Sequence, residues 1–215
     1  MTSRRIAVLI SGRGSNLQSI VDSIGEGRLN ATVALVVCSR ADAAGLQRAR
    51  EAGLEAVVVA PREHPDRDAY DRIIVETLRA RDVDLVCLAG FMRLVGTPLL
   101  EAFPLRILNI HPSLLPAFPG LNAQRRAWEH GVRIAGATVH FVTGALDDGP
   151  IVMQSAVPVL ADDTPDTLAA RILIEEHRIY PEAIQLVLDG RWSIEGRHVR
   201  IRPSAASGLR LPADS

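Results

Sequence analysis

The first half of the chain alternates short apolar runs with amphipathic stretches, and this alternation constrains the fold more than any other feature. Five apolar runs have the length of β-strands: residues 6–10, 31–38, 55–59, 85–89 and 107–110. Three intervening stretches are suited to helices: residues 17–24, 43–52 and 68–81. Apolar strands that alternate with helices are typical of a parallel sheet covered on both faces. The pattern predicts an α/β fold with a Rossmann-like, mostly parallel sheet and with ligands at the carboxyl ends of its strands.

The second half of the chain follows a different pattern. Three prolines and a glycine between residues 112 and 120 predict an irregular loop, and a short helix is expected over residues 123–130. Two runs rich in β-branched residues, 134–142 and 151–159, predict an antiparallel strand pair that extends the sheet.

A last helix is predicted from the N-cap Thr164 to residue 188, with Pro165 in its first turn and a kink near Pro181. The length of 215 residues suits one domain. We expect residues 1–202 to form that domain and residues 203–215 to be a mobile tail.

The composition excludes several kinds of function. All 24 basic residues are arginine, so the chain offers no lysine for a Schiff base, a pyridoxal phosphate anchor or a P-loop. A net charge of -1 gives no general attraction to nucleic acid or to an anionic membrane. No secretory or membrane-spanning segment is expected. Cys38 and Cys87 lie singly in apolar runs, as in proteins of a reducing compartment, and we expect a cytoplasmic location.

A glycine-containing loop lies between the first strand and the first helix. It comprises Ser11, Gly12, Arg13, Gly14, Ser15 and Asn16. Such a loop turns its amides towards an anion at a helix amino terminus. A dinucleotide site requires a third glycine where Leu17 stands and an acidic residue after the second strand, where Arg40 stands, so NAD binding is disfavoured. A phosphate monoester fits the loop; the alternative is a plain turn with Ser15 and Asn16 capping the helix.

Asn109 and His111 lie at the end of the fifth strand and point to the same side, because they are two residues apart. A neutral donor beside an imidazole suits the stabilisation of an oxygen that gains charge while protons move. The alternative is that both residues only terminate the strand. In the turn after the sixth strand, Asp147 is a candidate to orient His111 and to raise its pKa; the alternative is ordinary turn chemistry.

Other polar residues carry weaker signals. The Asp147-Asp148 turn lacks the partners of a metal site, so no metal is expected. His140 is interpreted as a structural or supporting residue. Glu176 and His177 lie within the last helix, where charged residues usually form a solvated face. Arg67, Met92, Arg93 and Leu94 are suited to hold a flat heterocycle and its carboxylates; core packing and surface charge explain them equally well.

Taken together, five motifs resemble those of the phosphoribosylglycinamide formyltransferases, a folate-dependent family of purine synthesis. The resemblance runs from residue 6 to about residue 190. Its motifs are VLISGRGSNL at residues 8–17, LAGFMR at 88–93, NIHPSLLP at 109–116, TVHFV at 138–142 and LDDGP at 146–150.

The resemblance implies transfer of a formyl group from 10-formyltetrahydrofolate, a co-substrate, to the amino group of 5-phosphoribosylglycinamide. It assigns catalysis to Asn109, protonated His111 and Asp147. It places the phosphate-binding half at about residues 1–105 and the folate-binding and catalytic half at about residues 106–190. It implies small-molecule substrates, a monomer or homodimer, and no nucleic acid, membrane, metal or NAD.

The resemblance also assigns binding residues. Phosphate and ribose binding fall to Gly12, Arg13, Gly14, Ser15, Asn16 and Glu176. Folate binding falls to Arg67, Met92, Arg93, Leu94, Val95, Val142, Thr143, Gly144, Ala145 and Leu146, with His140 in support. The chain departs from the family at Asn122 and Gln124, where histidines are frequent, and at Leu173, where lysine or glutamine is frequent.

Three alternatives stay open. Formyltetrahydrofolate hydrolase and methionyl-tRNA formyltransferase share the fold and the first motifs, but each normally carries a further domain that a chain of 215 residues is not expected to hold. A non-catalytic folate- or nucleotide-binding module has no need of Asn109, His111 and Asp147 together.

Overall fold

A computed structural model describes residues 4–202 and contains one nine-stranded sheet with helices on both faces. The strands are β1 (Arg5–Ile10), β2 (Thr32–Cys38), β3 (Ala56–Val58), β4 (Leu85–Leu88), β5 (Ile107–His111), β6 (Ile134–Phe141), β7 (Ile151–Pro158), β8 (Trp192–Glu195) and β9 (His198–Ile201). The α-helices are α1 (Ser15–Gly25), α2 (Ala44–Glu51), α3 (Arg67–Arg79), α4 (Thr97–Ala102), α5 (Ala123–His130) and α6 (Pro165–Leu188), and a short 3-10 helix spans Pro61–Glu63.

The strand order in the sheet is β3-β2-β1-β4-β5-β6-β7-β9-β8. Strands β1 to β5 are parallel, whereas β6 runs antiparallel to both β5 and β7. The expected parallel sheet with an antiparallel extension is therefore confirmed. The order reverses between β1 and β4, and in such sheets ligands bind at the carboxyl ends of the strands beside that reversal.

Alternate residues of the central strands enter two separate apolar cores. Val8 and Cys87 belong to the core under α1, α2, α5 and α6, whereas Leu9 and Val86 belong to the core under α3 and α4. Because both faces of β1 and β4 are covered, every residue of β4 and every residue of β1 after Arg5 is apolar. This is the physical origin of the unbroken apolar runs in the first half of the sequence.

Helix α6 crosses the sheet and joins it through a buried tyrosine. The Thr164 hydroxyl accepts from the main-chain N–H of Thr167 and caps the helix, which continues through Pro181. Tyr180 is fully buried, and its hydroxyl lies 3.0 Å from the carbonyl of Leu88 and 3.2 Å from that of Leu108. The hydroxyl therefore ties α6 to the last residue of β4 and to the second residue of β5.

Tyr180→Phe is expected to lower the free energy of unfolding by about 1–2 kcal/mol, because it removes a buried donor from two carbonyl groups. Tyr70→Phe is a matched control, since the Tyr70 hydroxyl is buried without a hydrogen-bond partner among residues 4–202. Urea denaturation of both variants measures the difference. Equal loss of stability in the two proteins would contradict the proposed contribution of the Tyr180 hydroxyl.

Four elements were not predicted from the sequence: the short 3-10 helix at Pro61–Glu63, helix α4, and strands β8 and β9. Helix α4 is only six residues long, and strands β8 and β9 form a hairpin that adds two strands to one edge of the sheet. The predicted mobile tail, residues 203–215, lies outside the described residues. Within the described range, no helix has both the length and the apolar character needed to cross a membrane.

Candidate active site

His111 is the last residue of β5 and lies almost fully buried between two oxygen acceptors. Its Nε2 atom is 3.0 Å from the carbonyl oxygen of Phe118, and its Nδ1 atom is 3.3 Å from Oδ2 of Asp147. A carbonyl oxygen and a carboxylate both accept hydrogen bonds, so both contacts are satisfied together only when the ring carries two protons. The surroundings are therefore built to orient an imidazolium.

Asn109 lies opposite His140 in the β5–β6 ladder. The Nδ1 atom of His140 donates to the carbonyl of Phe141 at 2.8 Å, which leaves its Nε2 atom free to accept. Asn109 Nδ2 donates to that Nε2 atom at 3.2 Å. His140 therefore fixes the orientation of the Asn109 amide, which keeps a second N–H for another acceptor. The sequence had already indicated such a supporting position for His140.

Asp147 lies in the loop between β6 and β7 and adopts a left-handed conformation, with φ of 49°. Its Oδ2 atom accepts from the main-chain N–H of Gly120 at 2.7 Å. Two residues later, a Cβ on Gly149 would lie 1.7 Å from the carbonyl oxygen of Phe141, so this position admits only glycine. The loop is thereby pressed against the end of β6 with the Asp147 carboxylate directed towards His111.

The pKa values of His111 and Asp147 depend on burial as well as on neighbouring charges. Burial lowers the pKa of His111 below its ordinary value, and the Phe118 carbonyl and the Asp147 carboxylate counteract this effect only in part. Asp147 raises the pKa of His111, as expected from the sequence, but burial of the ring, which the sequence did not indicate, outweighs this contribution. Burial alone would raise the pKa of Asp147, but the His140 ring, the Gly120 N–H and His111 together lower it.

The glycine loop connects β1 to α1, as predicted. Gly14 has a φ of 73°, and a Cβ there would lie 2.6 Å from the Cα atom of Gly45 in α2. The N–H of Gly45 donates to the carbonyl of Gly12 at 2.9 Å, so α2 supports the loop from below. In the described part of the chain, no side chain caps the N-terminus of α1 at Gly14, which argues against the plain capping alternative for Ser15 and Asn16.

Asn16 and Glu176 form a buried polar pair beside this loop. Asn16 Nδ2 donates to Oε2 of Glu176 at 2.7 Å, and burial raises the pKa of Glu176. Asn16 Oδ1 is also buried and has no partner among the residues placed in the structure. The interpretation of Glu176 as part of a solvated helix face was wrong, since only 6% of it is exposed. A buried carboxylate with an unsatisfied amide oxygen nearby is suited to bind hydroxyl groups of a ligand.

The segment after β4 presents apolar side chains to solvent. Met92 and Leu94 are 65% and 56% exposed, and across the site Leu146 is 55% exposed. Val142 is half-buried and donates its main-chain N–H to the carbonyl of Ile107 at 2.9 Å. Exposed apolar side chains at the carboxyl end of a sheet are typical of a surface that a flat ligand covers.

Ser11 and Asp71 hold this segment in place, a role that the sequence did not indicate for either residue. Ser11 Oγ accepts from the Met92 N–H at 3.0 Å and from the Ser39 hydroxyl at 2.7 Å. Asp71, which is 1% exposed, accepts from the N–H of Gly96. The Asp71 carboxylate also borders Arg67, since an atom added to the Cα of Gly96 would contact both side chains. Asp71 is a charged residue among the apolar positions of α3, and this placement is the feature from which the sequence could have indicated its role.

The predicted site residues do not all meet at one point. A cavity of about 600 Å³ at the carboxyl ends of β1 to β4 is lined by Ser11, Met92 and Arg93, together with residues of segments 39–42 and 58–63. It does not reach Asn109, His111 or Asp147. Arg93, Gly144 and Ala145 are exposed, and Thr143 is half-buried. Between residues 4 and 202, no group of three His, Cys, Asp or Glu residues is placed to hold a metal ion.

The three departures from the family's pattern lie in α6 and at the start of α5. Leu173 is half-buried in α6, three residues before Glu176 and therefore on the same helix face. Asn122 precedes α5 in a left-handed conformation, with φ of 55°, and Gln124 is half-buried in the first turn of that helix.

Comparison with known proteins decides the family. The model of the formyl transferase family matches residues 4–184. The chain belongs to the formyl transferase family. The expected formyltransferase is thereby confirmed, and the match includes both the glycine loop and the strand that carries Asn109 and His111.

Several members of the formyl transferase family resemble the chain over nearly its full length. The phosphoribosylglycinamide formyltransferase of Escherichia coli is 43% identical over 209 residues, covering 96% of this chain and 95% of that protein. The trifunctional purine biosynthetic protein adenosine-3 of Drosophila melanogaster is 43% identical over 189 residues. The chain spans only 14% of the length of that protein.

Solved structures of this family share the fold. The crystal structure of glycinamide ribonucleotide transformylase 1 from Symbiobacterium toebii superposes with a TM-score of 0.91 at 62% identity, covering 93% of this chain and 94% of that one. The phosphoribosylglycinamide formyltransferase of Anaplasma phagocytophilum superposes with a TM-score of 0.86 at 41% identity, with 93% and 94% of the two chains covered. The predicted α/β architecture is confirmed by these likenesses.

Proposed function

We propose that this chain transfers the formyl group of 10-formyltetrahydrofolate to the amino group of 5-phosphoribosylglycinamide in de novo purine synthesis. The main support is that Asn109, His111 and Asp147 lie together at the carboxyl end of β5. The chain that carries them is a member of the formyl transferase family. The names of relatives that match almost the whole chain support the choice of acceptor.

The reaction proceeds by direct attack. The acceptor amine forms a bond to the formyl carbon, and the electron pair of the C=O bond moves to the oxygen. The free N–H of Asn109 and a proton of His111 stabilise this negative oxygen. The intermediate then collapses, the C–N10 bond breaks, and the proton lost by the amine passes to N10 through His111, Asp147 or water. Atoms and charge balance without a protein nucleophile, so the absence of lysine is no obstacle.

For His111 to reach the substrate oxygen, its Nε2–H must leave the carbonyl of Phe118. Asp147 keeps the ring oriented through Nδ1 during this exchange. Because burial lowers the pKa of His111, the charged form is costly in the free protein and is favoured once negative charge develops on the oxygen. This difference between ground state and transition state is what accelerates a reaction.

The glycine loop and α6 bind the acceptor in this proposal. The amides of Gly12, Arg13, Gly14, Ser15 and Asn16 face the phosphate at the amino terminus of α1. Glu176 and the unsatisfied Oδ1 of Asn16 hold the ribose hydroxyls. The buried position of Glu176 supports this role, since charged residues are seldom buried and the side chain that donates to it, Asn16, keeps an oxygen that is unsatisfied among the described residues.

The folate lies between two loops in this proposal. Main-chain groups of Arg93, Leu94 and Val95, with Val142, Thr143, Gly144, Ala145 and Leu146, hold the pteridine. Met92 packs against its plane. Arg67 binds the glutamate carboxylates, and its position beside Asp71 and Gly96 supports this assignment. We further propose that the protein acts in the cytoplasm as a monomer or homodimer and binds neither nucleic acid nor membrane.

A single assay tests the proposal against its alternatives. Purified protein is incubated with 10-formyltetrahydrofolate, alone and with 5-phosphoribosylglycinamide. We expect tetrahydrofolate only when the acceptor is present. Release without acceptor would identify a hydrolase, and binding of folate without any release would identify a non-catalytic module. Replacing the acceptor with initiator methionyl-tRNA tests the third alternative.

The phosphate contacts yield a separate prediction. Leu173→Lys is expected to lower the KM for 5-phosphoribosylglycinamide by several-fold and to leave kcat nearly unchanged, because it adds a cation on the helix face of Glu176. Ile174→Lys is a matched control that adds the same charge at a neighbouring side chain that is 67% exposed. Steady-state kinetics with varied acceptor measure the effect. An equal change in both variants would contradict a phosphate position near residue 173.

A further inference from the structure

The turn of the β8–β9 hairpin contacts the loop that carries Asp147. Arg197 Nη2 donates to the main-chain carbonyl of Asp148 at 2.7 Å and to its Oδ1 atom at 2.9 Å. Arg197 Nη1 donates to Oδ2 of the same side chain at 3.2 Å. One guanidinium thus holds both the carboxylate and the main chain of the residue that follows Asp147. Strand β9 reaches this place by pairing with the first residue of β7, Ile151 opposite His198.

The loop needs such external support. Asp147 has a φ of 49°, a conformation that costs free energy for a residue with a side chain and persists only where the surroundings fix it. The Gly120 N–H holds its side chain from one direction, and the close packing of Gly149 on Phe141 fixes the loop behind it. Arg197 supplies the contact from the solvent side, through the peptide group between residues 148 and 149.

We propose that Arg197 is a positioning residue for Asp147, so that the β8–β9 hairpin belongs to the support of the active site. This inference rests on the proposed function. Arg197 does not touch the substrates; it keeps Asp147 in the place from which the carboxylate meets His111. The hairpin carries no other assigned role, and no motif in the sequence connects it with the residues of β5.

Arg197 and Asp148 are 67% and 55% exposed through their side chains, and such pairs add little to global stability. The proposal therefore predicts a loss of function without a loss of stability. Arg197→Ala is expected to lower kcat by roughly three- to tenfold, the order of effect that the loss of one hydrogen bond of ordinary net strength produces. Its melting temperature should stay close to that of the parent protein, as expected for a substitution at an exposed position.

Arg200→Ala is the matched control. Arg200 lies on the same hairpin and is paired with Glu195 at 3.3 Å, away from the Asp147 loop. Arg197→Ala and Arg200→Ala each remove one exposed arginine from the β8–β9 hairpin. We expect Arg200→Ala to keep the kcat of the parent protein, and Arg197→Lys to recover part of the loss because it restores a single donor to the carbonyl of Asp148.

The pKa of His111 provides a readout that does not require activity. Asp147, His140 and Arg126 are the charged or titratable groups that act on His111. Removing a distant cation alone would raise the pKa of His111, whereas displacing Asp147 removes an anion and would lower it. The sign of the change therefore separates positioning from a simple charge effect.

The experiment measures kcat, KM for both substrates, melting temperature and the NMR titration of His111 in the parent protein, Arg197→Ala, Arg197→Lys and Arg200→Ala. The proposal expects a lower His111 pKa and lower kcat in Arg197→Ala only. An unchanged or raised His111 pKa in Arg197→Ala would overturn it, as would an equal loss in Arg200→Ala. If the parent protein transfers no formyl group, the proposed function fails, and the titration still decides whether Arg197 positions Asp147.

Discussion

His111→Ala is expected to lower kcat by roughly a hundredfold or more while the protein stays folded. The substitution removes the proton donor that faces the developing negative oxygen, and loss of one preorganised donor of this kind typically costs that much. The fold should be retained, because the His111 side chain contacts the Phe118 carbonyl and Asp147 and belongs to neither apolar core. Steady-state rates at saturating concentrations of both substrates measure the effect, and a thermal melt monitors the fold.

His64→Ala is a suitable control. His64 follows the short 3-10 helix and packs against Tyr70, with ring centroids 5.7 Å apart, and it does not contact the residues of β5. The His64→Ala protein also loses one imidazole side chain, and it is expected to keep the turnover of the parent protein. Formyl transfer at the parent rate by His111→Ala would refute the role proposed for this residue.

The order of elements could be predicted because each central strand is buried on both faces. The apolar run in β4 and the helical period in α3 follow directly from burial in the two cores, and helix α5 begins and ends at the predicted residues. Helix α4 was missed because six residues are too few to establish a period. The β8–β9 hairpin did carry a signal, since Gly196 and Arg197 separate two alternating segments.

The active site was less predictable than the fold, because it depends on long-range contacts. The two-residue period of β5 placed Asn109 and His111 on one side, but the residues alone left Asp147 as either a partner of His111 or an ordinary turn residue, and the resemblance favoured the first. The contacts of His111 with Phe118 and of Asp147 with Gly120 require positive φ values in the loop, which no motif specifies. The lowered pKa of His111 depends in the same way on burial by residues distant in sequence.

Glu176 shows what a more careful interpretation of the helix would have found. The buried positions of α6 include Ile172, Glu176, Ile179 and Ala183, which are spaced as one face of a helix. A carboxylate on an otherwise apolar stripe is costly unless it is paired, so its position alone indicated a functional residue. The general preference of charged helix residues for solvent was the wrong rule for this position.

Asp147→Asn is expected to reduce kcat by roughly a hundredfold or more and to change its pH dependence. Asparagine still accepts the N–H of Gly120, so the loop keeps its main contact, but the negative charge beside His111 is lost. The charge of Asp147 raises the pKa of His111 against the effect of burial, so its removal lowers that pKa further. Turnover that requires protonated His111 falls as pH rises through this pKa.

The decline of kcat with rising pH should therefore occur at a lower pH in Asp147→Asn than in the parent protein. Asp148→Asn is the matched control, because it removes a neighbouring carboxylate that is 55% exposed and directed to Arg197 instead of His111. The main-chain carbonyl of residue 148 still accepts from Arg197 in this variant, so near-parental turnover is expected. A pH profile that stays in place in Asp147→Asn, despite reduced kcat, would mean that Asp147 acts on the amine proton alone and does not hold the charge of His111.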